Sequence, residues 1–266
     1  MAKGFSVIRM PGFGFVAIAC FLVLYLPIAT LVVYAFNAGT SIAIWQGFSL
    51  RWFVSAWNNE RVIETALRSL NIAVVAATLA TVVATMAALA TTRTAPYRGL
   101  TFKYAFINQP LMVPEIVTAV ALLIFFSRIK VWTGYSGLGY LIAAHTAFCI
   151  PFAYMPIRAR LESMDLTLER AAADLYAAPW AVFRRVTFPL LWPGILSGFM
   201  LAFVISLDDV VITEFVKSGG QDTLPTYMLG QIKRAVTPEI NAISTVFLVI
   251  SVIIVTGFFL VNRKRL

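Results

Sequence analysis

Residues 161–194 read LESMDLTLERAAADLYAAPWAVFRRVTFPLLWPG, and the fold turns on how this stretch is understood. It holds two short helical patterns, each well below the roughly 20 mostly apolar residues that a bilayer-spanning helix needs. In the first, Leu168, Ala171, Ala172 and Leu175 fall at i, i+3, i+4 and i+7, forming a narrow apolar stripe flanked by Glu169, Arg170 and Asp174. Small residues dominate this stripe, which is expected to be the buried face and lets another surface come close. Arg170 and Asp174 are spaced for a surface ion pair, worth about 0.2–0.5 kcal/mol. The second pattern begins at Pro179, a residue suited to a first helical position. It places Trp180, Phe183, Arg184, Arg185 and Val186 along a membrane surface before Thr187-Phe188-Pro189 enters a long apolar run. The stretch thus predicts a helix pair held at a membrane face; the plainer alternative is a surface helix without a partner.

On either side of this segment the chain is too apolar for a single globular core. It is 60% hydrophobic and 12% charged, where soluble domains carry roughly 25% charge. Six windows are long and apolar enough to span, near residues 13–35, 67–91, 104–127, 138–157, 190–213 and 240–261. The fold class is therefore an all-α integral membrane protein of about six transmembrane helices. Lys3 and Arg9 precede the first window as they would in a signal peptide, but the run Phe13 to Phe36 is too long and lacks a small-residue cleavage site, so it reads as a retained helix. The expected organisation is one transmembrane domain over 1–266. Residues 1–66 supply the first helix and an outer loop whose Trp45, Phe48, Trp52, Phe53 and Trp57 suit a membrane interface. Residues 67–261 form the core, with the cytoplasmic loop 158–189 inside it. A turn signal at Ser218-Gly219-Gly220, then Leu224-Pro225 and an amphipathic stretch, leaves room for a short outer helix.

The net charge of +9 is distributed as a topology signal rather than a nucleic-acid footprint. Placing the N-terminus inside assigns Lys3, Arg9, Arg93, Arg98, Lys103, Arg158, Arg160, Arg170, Arg184, Arg185, Arg263, Lys264 and Arg265 to the cytoplasm, 13 of the 21 basic residues. Both termini are predicted cytoplasmic by the positive-inside rule.

Three acids fall inside the spanning windows: Glu115, Asp208 and Asp209. Each costs roughly 2.5–3.5 kcal/mol to insert near a helix centre, so each is expected to face protein or a water-filled cavity. Toward a cationic solute they are counter-charges. Asn108, Glu115 and Thr118 share one helical face of the third window, and Ser206, Asp209 and Thr213 share one of the fifth. Pro110 and Pro114 loosen the third window beside Glu115. Glu115, Thr118, Asp208 and Asp209 are therefore candidates for a translocation pathway. The alternatives are a partner's basic residue for Glu115, a helix-capping role for the aspartates, and a core hydrogen-bonding role for the single histidine, His145. Cys20 and Cys149, each inside an apolar window, read as packing residues. The chain carries no phosphate-binding G-x-x-x-x-G-K-[ST] loop, hydrolytic triad or metal-ligand cluster. No catalytic, cofactor or metal residue is assigned to it, and any energy for transport must come from elsewhere.

The 161–194 stretch resembles the cytoplasmic EAA motif of ABC importer permeases. Ala171-Ala172, Asp174-Leu175, Val186 and Phe188-Pro189 stand at the matching spacings, while Arg170 takes the place of the motif glutamate, with Glu169 just before it, and Tyr176 that of the motif glycine. LMVPEIVTAVALL at Leu111–Leu123, SLDDVVITEFV at Ser206–Val216 and TPEINAISTVFLV at Thr237–Val249 resemble the spermidine/putrescine type. The resemblance implies a type I importer permease fold with a coupling-helix pair, in which Glu169, Arg170, Ala171, Ala172, Asp174, Tyr176 and Pro189 meet an ATPase. It also implies a homologous permease partner, an ABC ATPase dimer holding ATP and Mg, a periplasmic solute-binding protein, and an inner-membrane location. The cargo would be a small cation such as putrescine or spermidine, or another amine or opine-like solute. An ion-coupled secondary transporter, with Glu115 and Asp209 binding the ion, is the rival.

Overall fold

Among the described residues, six helices of the computed structural model are long and apolar enough to cross a membrane, at Gly14–Tyr34, Glu60–Thr92, Glu115–Thr133, Gly139–Ser163, Pro179–Asp208 and Pro238–Phe258. The structure describes residues 13–41, 44–94, 98–234 and 237–262. Lys3, Arg9 and the tail Arg263-Lys264-Arg265, which weigh on the predicted topology, lie outside them.

In chain order the helices are α1 (Phe13–Tyr34), α2 (Arg51–Asn58), α3 (Glu60–Thr92), α4 (Leu100–Met112), α5 (Glu115–Thr133), α6 (Gly139–Ser163), α7 (Thr167–Asp174) and α8 (Pro179–Val182). A π-helical turn (Phe183–Thr187) then leads into α9 (Phe188–Asp208), α10 (Val211–Val216), α11 (Leu224–Arg234) and α12 (Pro238–Asn262). The chain divides into two compact units, one of residues up to Glu60 with Gly230–Ile250, the other of Arg61–Leu229 with the residues from Ser251 onward.

In the first unit α1 is exposed along its spanning length. The loop after it is organised by Asn37, whose buried amide is fully partnered: it donates to the carbonyls of Ser41 and Ile44 at 2.9 and 2.8 Å and accepts from the amides of Gly39 and Gln46 at 3.2 and 2.8 Å. Phe36 packs on Phe48 and Phe53, with ring centres 5.4 and 4.9 Å away. Trp57 is exposed, as an interfacial ring would be.

In the second unit α3 starts seven residues before the hydropathy window. The charged residues that lower hydropathy there pair along the helix, Glu64 with Arg61 at 3.4 Å and with Arg68 at 2.6 Å. The third window is two helices, because Pro114 has no amide to continue the ladder and ψ is 136° at Val113. The fifth window is also interrupted. Helix α9 stops at Asp208, Asp209 is extended with ψ of 132°, and α10 follows. Helices α6 and α9 pack closely through Gly194 and Gly198, four apart on α9. A Cβ at Gly194 would lie 2.6 Å from Arg160 Cβ, and one at Gly198 2.7 Å from the Ala153 carbonyl.

The helix pair at the membrane surface takes a different form from the one expected. Pro179 does open a helix, but α8 is continuous through the π turn with α9, a 30-residue run to Asp208. The cause is Pro189, which cannot donate to the Arg185 carbonyl and whose ring would press on it. The backbone widens just before it, and the Phe188 amide reaches back five residues to the Phe183 carbonyl.

Candidate functional site

Two constellations stand out in the second unit, one on the short helix α7 and one among the helices long and apolar enough to span. The first is built on α7. Asp165 starts this helix, accepting from the Thr167 amide at 2.8 Å and the Thr167 hydroxyl at 2.5 Å. Those two bonds, helped by nearby Arg170, hold its carboxyl below the usual aspartate value. At the far end the Tyr176 amide bonds the Ala173 carbonyl at 2.9 Å and the Ala177 amide the Ala172 carbonyl at 3.2 Å, a Schellman turn. Such a turn needs a left-handed residue, and Tyr176 supplies it at φ 58°, the residue being 97% exposed. A non-glycine residue there costs about 1–2 kcal/mol. The turn keeps its left-handed shape although the glycine of the motif is absent.

The stripe read as the buried face of α7 is turned outward: Leu168, Ala171 and Leu175 are exposed and Ala172 is half-buried. Arg170, Asp174 and Pro189 are exposed as well, and the ion pairs among the described residues do not include Arg170 with Asp174. The residue facing the chain is Glu169. Its Oε1 accepts from the Thr187 hydroxyl at 3.0 Å and its Oε2 lies 3.3 Å from Arg93 Nε, the two charged side chains being only 19% and 18% exposed. Arg93 entered the sequence reading only as a topology charge; nothing local in the sequence marks a partner 76 residues away.

The second constellation centres on His145 of α6, whose side chain is 2% exposed. Its Nδ1 lies 2.8 Å from Ser206 Oγ and its Nε2 2.9 Å from Thr213 Oγ1. The Thr213 hydroxyl donates to Asp209 Oδ2 at 2.7 Å, so Thr213 must accept from His145. The neutral ring that satisfies the network carries its proton on Nε2 and accepts the Ser206 hydroxyl at Nδ1. Asp209 also receives the backbone amides of Ile212 at 3.3 Å and Thr213 at 2.9 Å, capping α10. Ser206, Asp209 and Thr213 therefore converge through a broken helix rather than along one helical face.

Glu115, in the first turn of α5, is exposed, and its carboxyl is a near neighbour of that of Asp209. Asp208 is exposed at the end of α9. Thr118, one turn after Glu115, has a buried hydroxyl that meets no partner among the described residues. Asn108 does not share their face: it lies across the Pro114 break on α4, where its amide donates to the Tyr104 carbonyl at 2.8 Å. The structure thus brings Glu115 and Asp209 together, with His145 behind them, at the place where two spanning segments are interrupted.

Residues 99–264 match the family described as binding-protein-dependent transport system inner membrane component. The chain belongs to that family. This permease is 35% identical over 255 residues to the putrescine transport system permease protein PotI of Escherichia coli strain K12, covering 95% of this chain and 90% of that one. It is 37% identical over 242 residues to the spermidine/putrescine transport system permease protein PotC of Haemophilus influenzae, covering 91% and 93%. The permease fold is shared with a chain of a bacterial ABC transporter for alginate import, at a TM-score of 0.73, 17% identity and coverage of 93% and 92%. It is shared also with a chain of the inward-facing MetNI methionine ABC transporter, at a TM-score of 0.65, 17% identity and coverage of 76% and 94%. The architecture is that of a type I ABC importer permease.

Proposed function

We propose that this permease conducts a polyamine, putrescine or spermidine, into the cell within an ATP-driven importer. The remaining parts are a homologous permease subunit, two ABC ATPase subunits that hold ATP and Mg, and a periplasmic binding protein that delivers the solute. Both termini then lie in the cytoplasm. The observation that carries the cargo assignment is the meeting of Glu115 with Asp209 at two helix breaks, in a chain 35% identical to a putrescine permease. Adjacent carboxylates repel each other and gain from a nearby cation. A diamine supplies two ammonium groups on an apolar stem, which suits acids set among apolar spans. Exposed Glu115 and Asp208 are the groups an amine meets, Thr118 offers an unpartnered hydroxyl, and buried Asp209 supports the site from behind.

On the cytoplasmic side the exposed face of α7, with Arg170, Ala171, Asp174 and Tyr176, receives the ATPase, while Glu169 fastens the helix to its own chain. The cargo assignment is tested on the binding protein that co-purifies with the complex. Calorimetric titration against putrescine, spermidine, opine-like amines, amino acids and sugars is expected to give binding for a polyamine alone. Binding of a neutral sugar or an anion in its place would overturn the assignment.

A further inference from the structure

Helix α3 is held at both ends by arginines. At its cytoplasmic end Arg93 faces Glu169 of α7 at 3.3 Å, and the same carboxylate takes the hydroxyl of Thr187 at 3.0 Å. Near its outer end Arg68 Nη1 donates to the carbonyls of Gly220 and Asp222, both at 2.9 Å, and the Ser69 hydroxyl accepts the Leu224 amide at 2.7 Å. The two arginines are separated by very nearly seven helical turns, which puts them on one face about 37 Å apart at a rise of roughly 1.5 Å per residue.

The helix between them contains neither Pro nor Gly. Sharp kinks arise at those residues or at π bulges, so α3 lacks the usual points at which a displacement is absorbed. The helices that flank α7 in sequence are different: α6 contains Pro151 and Pro156, while α9 begins at a π turn and contains Pro193. Arg93 Nε faces the Glu169 carboxylate without an aligned hydrogen bond, and its buried Nη2 is a spare donor with no hydrogen-bond partner among the described residues. A guanidinium with a spare donor can follow a moving carboxylate without releasing it, because its planar fork accepts several placements of the same partner.

We infer that α3 is the rod that joins the coupling helix α7 to the outer segment Gly220–Leu224, with Arg93 and Arg68 as its two clamps. A shift of α7 reaches the outer face through Arg93, the uninterrupted helix and Arg68. By thermodynamic reciprocity, an event at the outer face is felt by whatever is bound to α7. Arg93 and Arg68 are positioning residues and are not among the carboxylates assigned to cargo. The inference rests on the proposed function, in which α7 receives an ATPase.

The test uses the complete complex in lipid nanodiscs and measures how far putrescine-loaded binding protein stimulates ATP hydrolysis. If the wild-type complex shows no stimulation, the proposed function fails, and that result is read before any variant. With stimulation present, Arg93→Ala and Arg68→Ala are each expected to lower it at least fivefold while basal hydrolysis and complex yield stay within twofold. The double variant is expected to be no worse than either single one, since the clamps act in series, and Arg93→Glu combined with Glu169→Arg is expected to recover at least half of the stimulation. Unchanged stimulation in Arg93→Ala, multiplied losses in the double variant, or basal and stimulated hydrolysis falling in proportion would overturn the inference. Should Arg93→Ala fail to assemble, the isosteric Glu169→Gln takes its place, and full stimulation in that variant overturns it equally.

Discussion

Replacing Asp209 probes what holds the break between α9 and α10. Its carboxylate takes three hydrogen bonds, from the Ile212 amide at 3.3 Å, the Thr213 amide at 2.9 Å and the Thr213 hydroxyl at 2.7 Å, and His145 Nε2 lies 3.4 Å away. Asp209→Ala removes a helix cap, worth about 0.5–2 kcal/mol, and strands a buried hydroxyl donor at about 1–3 kcal/mol. The expected total is about 1.5–5 kcal/mol. Asp209→Asn can keep its oxygen at the Oδ2 position, where the Thr213 amide and hydroxyl retain their acceptor, while its NH2 group faces the Ile212 amide, which loses its own. One hydrogen bond is lost, for about 1–1.5 kcal/mol. The assay is unfolding of the purified permease by SDS titration in mixed micelles, followed by tryptophan fluorescence. Ala should cost at least twice what Asn does, and Thr213→Val should add little in the Ala background because the two residues share one network. An Ala variant within about 0.5 kcal/mol of the native chain, or an Asn variant as unstable as Ala, would refute the network as the origin of the break.

The other expectations concern separate parts of the molecule. Glu115→Gln should lower ATP-driven putrescine uptake by about tenfold, a 1.4 kcal/mol effect, with SDS-unfolding stability changed by less than about 0.5 kcal/mol because the side chain is exposed; equal uptake would remove Glu115 from the pathway. Tyr176→Gly should relieve about 1 kcal/mol of left-handed strain and slow exchange of the Ala177 amide by about fivefold, whereas faster exchange would contradict the turn geometry. Ala171→Asp, on the exposed stripe of α7, should abolish uptake while leaving membrane insertion intact, as read by fractionation; normal uptake would show that the stripe meets nothing. Asp165 has its carboxyl lowered by the Thr167 hydroxyl and amide. Its support of α7 is therefore fully present above the ordinary value of 3.8 and lost as pH falls below it through the lowered value. Protection of the Thr167 amide, corrected for intrinsic exchange, should be flat down to about pH 5 and fall only below the ordinary carboxylate range; a fall near neutral pH would contradict the assignment.

The spans were legible because apolarity and length are local properties, whereas Pro114 was read only as loosening the third window, which ran through the break and put Asn108 on the face of Glu115 and Thr118. The interruption at Asp208–Asp209–Val210 carries no Pro or Gly and depends on side-chain capping of α10, so the apolar window ran straight through it. Helix continuity then placed Ser206, Asp209 and Thr213 on one face, whereas they meet at His145 from separate elements. His145 read as solitary because its partners stand 61 and 68 residues away. Core hydrogen bonding, one of the alternatives for it, is what the structure shows. On α7 the periodicity located the apolar stripe, but periodicity cannot say whether such a stripe serves the chain's own core or another surface. The chain uses Glu169 instead, reached by Arg93 and Thr187 from distant elements. The Gly194–Gly198 spacing was a readable signal for the close approach of α9 to α6, and the sequence reading passed over it.

The central claim is that the chain works as the permease of an ATP-driven polyamine importer. Its most direct test is uptake of radiolabelled putrescine into proteoliposomes that contain this chain, its partner permease, the ATPase subunits and the binding protein, with ATP supplied on the ATPase side. The account predicts accumulation that requires ATP and every subunit, and none under a proton or sodium gradient alone. Accumulation by this chain alone, driven by an ion gradient without ATP, would contradict it.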